Sequence, residues 1–217
     1  MYNRIVIISG GYIEDVFASA WITKYAPEYT IVADSGMEFC RRAGITPDMI
    51  IGDFDSVKEE TLTFFKSHPD IIFQELNPIK DDTDTEFAIR QAIELGVKEI
   101  CVLGATGTRL DHVLGNISLL GIGLSKQVQI QLVDAHNRIR MIDKSIKMAK
   151  KEQFGSYVSL LPYQGEVTHL TLKGFKYSLE KFALKPYNSL GISNEIVEEE
   201  AEITFEEGVL LVIEARD

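Results

Sequence analysis

Aspartates in this chain recur where short apolar runs stop. Asp34 follows Ile31-Val32-Ala33, Asp53 and Asp55 follow Ile50-Ile51-Gly52, and Asp81, Asp82 and Asp84 open a helical stretch. Asp111 ends a loop that begins at Gly104. Taken singly, each has an ordinary use, because an aspartate oxygen at a helix N-cap accepts unpaired backbone N–H groups. Thr83 and Glu86 even have the spacing of a capping box. Taken together, the acids ask for more. Two carboxylates about 4 Å apart repel by roughly 4 kcal/mol at an effective dielectric of about 20. Several at one rim therefore call for a cation among them. An all-oxygen donor set suits a hard ion such as Mg²⁺, which usually also contacts substrate phosphates.

The glycines fit a phosphate ligand. Gly10-Gly11, Gly36 and the pair Gly104 and Gly107 would let backbone N–H groups approach phosphate oxygens near helix N-termini. No Gly-x-x-x-x-Gly-Lys-Ser/Thr loop is present. Lys80 and Arg109 each flank an acidic cluster, either as phosphate clamps or as charge balance for neighbouring aspartates. His112, beside Asp111, either hydrogen-bonds a substrate or is a satisfied histidine behind the site.

Those residues need a scaffold that brings loop ends together. Short β-branched runs at 4–8, 30–33, 49–51, 70–73, 99–103 and 128–133 are mostly apolar throughout, as strands covered on both faces should be. Helical spacing lies between them, at 14–25, 37–43, 59–68, 83–95 and 111–124. This alternation predicts an α/β domain over residues 1–137, with three layers and a mostly parallel sheet whose ligands bind beyond the carboxyl ends of the strands. Residues 138–217 lack long helical stretches and read as an antiparallel β-sandwich. Its strands are expected at 138–142, 157–161, 167–172, around Phe182, 200–205 and 209–214. Turn signals separate them at Pro162–Gly165, Lys173-Gly174, Asn188-Ser189 and Glu207-Gly208. The acidic run Glu198–Glu200 reads as a solvated strand edge.

Composition narrows the partners. A chain of 217 residues buries roughly 70–75% of its unfolded surface without help from disulfides or structural metals. With 45% hydrophobic and 25% charged residues it is not a disordered chain. The net charge of −11 argues against nucleic acid as a partner. Cys40 and Cys101 stand in separate apolar segments and offer neither a disulfide framework nor a Cys-rich zinc site. The opening run Ile5–Ile8 is too short for a signal or a membrane span, so a cytoplasmic protein is expected.

In combination these residues resemble the thiamine pyrophosphokinase family. The resemblance is carried by Ala33-Asp34-Ser35-Gly36, by Pro47 to Ser56 with its Gly-Asp-Phe-Asp-Ser ending, and by Lys80-Asp81-Asp82-Thr83-Asp84-Thr85-Glu86. Further blocks are Gly107-Thr108-Arg109-Leu110-Asp111-His112 with Asn116, and Gly191-Ile192-Ser193-Asn194-Glu195. Their order covers nearly the whole chain. The resemblance implies a catalytic α/β domain, then a β-sandwich domain for thiamine binding and dimerisation, in a homodimer with active sites between subunits. It implies the reaction ATP + thiamine → thiamine diphosphate + AMP. Residue by residue, Asp53, Asp55 and Asp84 would bind Mg²⁺ and polyphosphate and, with Asp111, form the catalytic set, while Asp34 would complete the acidic site as a cofactor-binding residue. Gly36, Lys80, Asp81, Thr83 and Arg109 would hold the nucleotide. Tyr177, Ser193, Asn194 and His112 would face thiamine, with Tyr177 standing where animal members carry tryptophan; tyrosine keeps an aromatic face for stacking.

Three other readings are consistent with parts of the pattern. Asp53-Phe54-Asp55 mimics the nucleophile motif of haloacid-dehalogenase-like phosphatases, but lies after the third strand rather than the first. A pyrophosphokinase of the same fold could act on another alcohol, such as a hydroxymethylpterin. A non-catalytic nucleotide or thiamine sensor could use the fold, though a sensor has no need of the full acidic set.

Overall fold

Among the strands that close around the first core, Ile5, Val6, Ile7 and Ile8 are fully buried, as expected for a run covered on both faces. The computed structural model describes residues 1–77, 82–107 and 109–217. The expected nucleotide contacts Lys80 and Asp81 lie outside the described residues, as does Thr108. The chain divides into two compact units, Met1–Ala135 and His136–Asp217. The division falls in the turn before Asn137, where a new strand begins.

The first unit alternates strands and helices. Its strands are β1 (Tyr2–Ile8), β2 (Tyr29–Ala33), β3 (Met49–Gly52), β4 (Ile72–Glu75), β5 (Val97–Leu103) and β6 (Gln129–Val133). Its helices are α1 (Asp15–Tyr25), α2 (Gly36–Ala43), α3 (Glu59–Lys66), α4 (Asp84–Glu94) and α5 (Leu110–Lys126). Every pairing in this unit is parallel, in the order β4-β3-β2-β1-β5-β6. β4 begins at Ile72, later than expected, because Ile71 donates its N–H to His68 O at 3.3 Å and closes the turn after α3. The chain builds outward from β1 to β4, then returns through α4 to β5 on the other side of β1. That reversal makes a crevice between the carboxyl ends of β1 and β5, where such sheets bind ligands. To make the crossing, α4 packs over β1, β2, β3 and β5, which carries its first turn to the crevice.

Caps fix where these helices start. Glu14 caps α1, its carboxylate accepting from Val16 N (3.2 Å) and Phe17 N (2.6 Å). Thr83 caps α4, accepting from Glu86 N at 3.2 Å. The reciprocal half of the expected capping box is absent, since Glu86 instead pairs with Arg90 at 2.5 Å. Buried Phe39 of α2 and Phe65 of α3 each contribute about 1.5–3 kcal/mol of apolar burial.

The second unit is all β apart from one short 3₁₀ turn. It comprises β7 (Asn137–Ile142), β8 (Ile146–Ala149), β9 (Tyr157–Lys173), β10 (Leu179–Leu184), β11 (Glu200–Thr204) and β12 (Glu207–Ala215). The two strands expected on either side of Pro162–Gly165 are one strand, β9, and the expected turn is a bend within it. Gln164 takes φ 62°, and the register to β12 shifts between Glu207 and Val209. This bend lets one strand serve two layers: residues 157–163 pair with β12, whereas 167–173 pair with β10 and β11 and meet β12 only at Thr168. Val158, Leu160, Leu210 and Val212 from one layer meet Leu170, Leu172 and Ile203 from the other in a single core. β8, which the sequence reading lacked, forms the outer edge beside β11. Glu200 consequently lies on an inner strand, paired with Lys147 of β8 at 2.8 Å, and not on the edge expected of Glu198–Glu200.

Candidate active site

The crevice of the first unit is a cleft of about 540 Å³ lined by the turns after β1, β2 and β5 and by the starts of α4 and α5. Close approach of these turns depends on glycine. A Cβ at Gly36 would collide with the carbonyl of Ile8, and one at Gly104, where φ is +69°, would collide with that of Ser9.

At the rim, Asp34, Asp53 and Asp55 offer carboxylate oxygens within 4.8 Å of one another. Each position has a local cause. Asp34 ends β2 at φ 47°, a left-handed conformation that aspartate tolerates, with its N–H held by Ile51 O at 2.8 Å. Phe54, between the other two acids, turns inward to Phe73 (ring centroids 6.2 Å apart) and leaves Asp53 and Asp55 on the rim. Ser56 donates its hydroxyl to Asp34 Oδ2, while buried Asp34 Oδ1 has no hydrogen-bond partner. The neighbouring Asp53 carboxylate holds the Asp55 carboxyl above the ordinary carboxylate range, and Asp34 and Asp84 add to the same effect. An oxygen-only donor set, one buried oxygen without a partner, and this mutual repulsion together fit a hard divalent cation.

Asp84 lies in the first turn of α4, lines the cleft, and is close enough to act on Asp55, but it is not part of the tight three-acid group. The group therefore contains Asp34 where the sequence reading put Asp84. Asp111 stands apart from it. Arg109 grips Asp111 at 2.5 and 3.2 Å, and His112 N donates to it at 3.0 Å. The Arg109 hydrogen bonds, with that of His112, pull the Asp111 carboxyl down to about 2. Gly36 forms the tight turn beneath the cleft, while Thr83, Arg109 and His112 line it. Sequence reasoning assigned no role to Ser9, Thr106 or Asn116. Asn116 Nδ2 donates to Ala105 O at 2.7 Å, and Thr106 Oγ1 donates to Asp134 at 2.7 Å, so these two shape the loop after β5. Asn116 was legible only as part of a block that carries the family resemblance and Thr106 only through its place in the Gly104–Asp111 loop, while Ser9 had no signal beyond its place after the first apolar run.

The thiamine-side residues expected in the second unit form their own cluster. Tyr177 is exposed, whereas Asn194 is buried with both polar atoms of its carboxamide engaged. Asn194 Oδ1 accepts from Tyr177 N (3.0 Å) and Glu195 N (2.9 Å), and its Nδ2 donates to Tyr177 O (2.8 Å). Asn194 thus presents the tyrosine rather than an open amide. Ser193 is exposed, with its N–H held by Ser159 Oγ at 3.0 Å. Lys176 sits 5.7 Å from the centre of the Tyr177 ring and is paired with Glu195 at 2.5 Å.

An open parallel sheet with glycine turns at its point of reversal and a carboxylate cluster beside it defines an α/β protein whose strand-end rim has the donor set of a hard cation. Comparison with known proteins makes this specific. The profile of the thiamin pyrophosphokinase catalytic domain matches residues 23–132, and that of the thiamin pyrophosphokinase vitamin B1 binding domain matches residues 143–210. Thiamine pyrophosphokinase of Bacillus subtilis is 35% identical over 90% of this chain and 92% of its own length. Its crystal structure superposes with a TM-score of 0.88 at 34% identity, covering 99% of this chain and all of that one. The thiamin pyrophosphokinase structure from Geobacillus thermodenitrificans gives 0.85 at 31% identity, over 99% of this chain and 98% of that one. The chain belongs to the thiamin pyrophosphokinase family, and its function is that of a thiamine pyrophosphokinase.

Proposed function

We propose that the protein transfers the pyrophosphoryl group of ATP to the hydroxyl of thiamine, giving thiamine diphosphate and AMP, with Mg²⁺ as the cation. The observation that carries this reading is the convergence of Asp34, Asp53 and Asp55 beside a glycine-lined cleft. When bound, the ion supplies charge neutralisation for the polyphosphate. Asp34, Asp53 and Asp55 would hold it, with Asp84 alongside. Backbone N–H groups at Gly10 and in the Gly104–Gly107 turn would receive phosphate oxygens, while the Gly11 N–H, held by Gly104 O at 2.9 Å, ties the two turns together. Arg109 would exchange Asp111 for the nucleotide, and Thr83, Lys80 and Asp81 belong to the same nucleotide-binding proposal. Asp84 is the better base for the thiamine hydroxyl proton, because Asp111 is held ionised at low basicity by Arg109. Tyr177 offers an exposed aromatic face to the cationic vitamin, with Ser193 beside it and His112 at the cleft. The catalytic role belongs to residues 1–137, and thiamine binding and dimerisation to 138–217. Exposed Tyr187, Leu190 and Ile192 support a homodimer with active sites at the subunit interface. No helix among the described residues is long and apolar enough to cross a membrane, and a cytoplasmic location is part of the proposal.

Purified protein is incubated with ATP, Mg²⁺ and either thiamine or a hydroxymethylpterin, and AMP is counted. AMP appears with thiamine alone, and Asp55→Ala lowers its release at least 100-fold with the fold retained by circular dichroism, consistent with loss of a transition-state charge clamp. AMP with the pterin only, or near-normal turnover by the variant, overturns the assignment.

A further inference from the structure

Ser9, the residue after β1, is 2% exposed and belongs to no motif. Its backbone is locked on the central strand: its N–H is held by Leu103 O at 2.8 Å, and its carbonyl lies against Gly104 and Gly36. Its hydroxyl shares a 2.9 Å hydrogen bond with Thr85 Oγ1, 76 residues away in the first turn of α4. The side-chain hydrogen bonds of Thr83 and Glu86 stay within α4. That of Thr85 reaches the sheet. Asp84 precedes Thr85 on the same turn, about 100° around the axis, so a contact that fixes Thr85 also fixes where the Asp84 backbone sits and the direction in which its Cα–Cβ bond leaves the helix.

We propose that the Ser9–Thr85 hydroxyl pair sets the position of the first turn of α4 against the end of β1, making Ser9 and Thr85 positioning residues that aim Asp84 at the Asp34–Asp53–Asp55 group. The inference rests on the reading of that group as a cation site. Helix packing on a sheet leaves a helix free to rotate or slide by fractions of an ångström; a buried directional contact at the end that matters removes that freedom. Misplacement of a supporting contact by about 1 Å is enough to weaken a metal-dependent step by one to two orders of magnitude.

The test uses the full chain with Ser9→Ala, Thr85→Val, both together, and Thr85→Ser, each checked by thermal melting. Mn²⁺ affinity is measured by electron paramagnetic resonance in the presence of a non-hydrolysable ATP analogue, and kcat, KM for thiamine and the Mg²⁺ requirement are measured separately. Ser9→Ala and Thr85→Val should each weaken Mn²⁺ binding and lower kcat on the order of tenfold, leaving KM for thiamine within twofold, about the resolution of such a comparison. Their double variant should be no worse than either single one, and Thr85→Ser should restore both quantities. Unchanged Mn²⁺ affinity in Ser9→Ala overturns the proposal, as does a Thr85→Ser variant as impaired as Thr85→Val. Because Mn²⁺ binding is read without turnover, a wild-type chain inactive on thiamine would refute the reaction and still leave this positioning role tested.

Discussion

Asp55 is exposed on the rim with the Asp53 carboxylate beside it, and so it holds its proton to higher pH than an ordinary aspartate. Its neutral form is the one favoured by the fold. Stability from this group is therefore present at acid pH and lost as pH rises through its raised value. Asp55→Asn should raise the melting temperature of the cation-free protein at neutral pH, while added Mg²⁺ should stabilise the wild type and do little for the variant; calorimetry with EDTA or MgCl₂ checks both. Activity should fall on acidification at higher pH than ordinary carboxylates would dictate, with excess Mg²⁺ moving that limb lower. Asn194 works through its neighbour. Two of its three side-chain hydrogen bonds hold both backbone groups of Tyr177 and the third holds Glu195 N, so Asn194→Ala should raise KM for thiamine severalfold and cost about 1–3 kcal/mol in urea unfolding. Tyr177→Ala, which removes the ring and keeps the clamp, should raise KM with stability nearly unchanged.

The secondary-structure elements explain why these side chains meet. Parallel strands deliver every βα turn to one edge, so Asp34, Asp53 and Asp55 become neighbours without being close in sequence, with Asp84 near enough to act on Asp55. α4 is the exception among the crossovers, since it spans from the edge strand β4 back across β1 to β5. The turns beneath the cleft tolerate no side chain. Gly104→Ala would place a Cβ against Ser9 O in a left-handed conformation, and should cost about 1–3 kcal/mol with a parallel loss of nucleotide binding. Chemical denaturation and ATP-analogue titration read the two effects. In the second unit, β9 accomplishes by bending what two separate strands were expected to do, because the residues that resemble a turn introduce local twist without ending the ladder.

Each unit carries its own stabilising core, and that of the second contains a charge. Glu214 is fully buried on β12, where it accepts from Arg138 at 2.6 and 2.7 Å, from Arg140 at 3.1 Å and from Phe154 N at 3.1 Å. The array ties β7, β12 and the approach to β9 together. Removing the carboxylate leaves arginines without their counter-charge, so Glu214→Ala should lower stability by about 3–5 kcal/mol. The loss should appear in melting of residues 136–217 by hydrogen exchange before any change in residues 1–135.

The order of strands and helices in the first unit, its parallel sheet, and Asp34, Asp53 and Asp55 as acids at strand ends were legible in the amino-acid sequence. Each rests on local periodicity or on a residue's place at the end of an apolar run, and these survive without knowledge of distant contacts. Pairings between distant residues needed the tertiary structure. It showed that Asn194 is occupied by Tyr177, that Pro162–Gly165 continues a strand, and that Ser9 meets Thr85; for Arg109, whose two roles the sequence left open, it showed the pairing with nearby Asp111. A side chain's partners depend on which surfaces pack and in what register, and a hydrogen bond spanning 76 residues leaves no periodic trace in the chain that forms it.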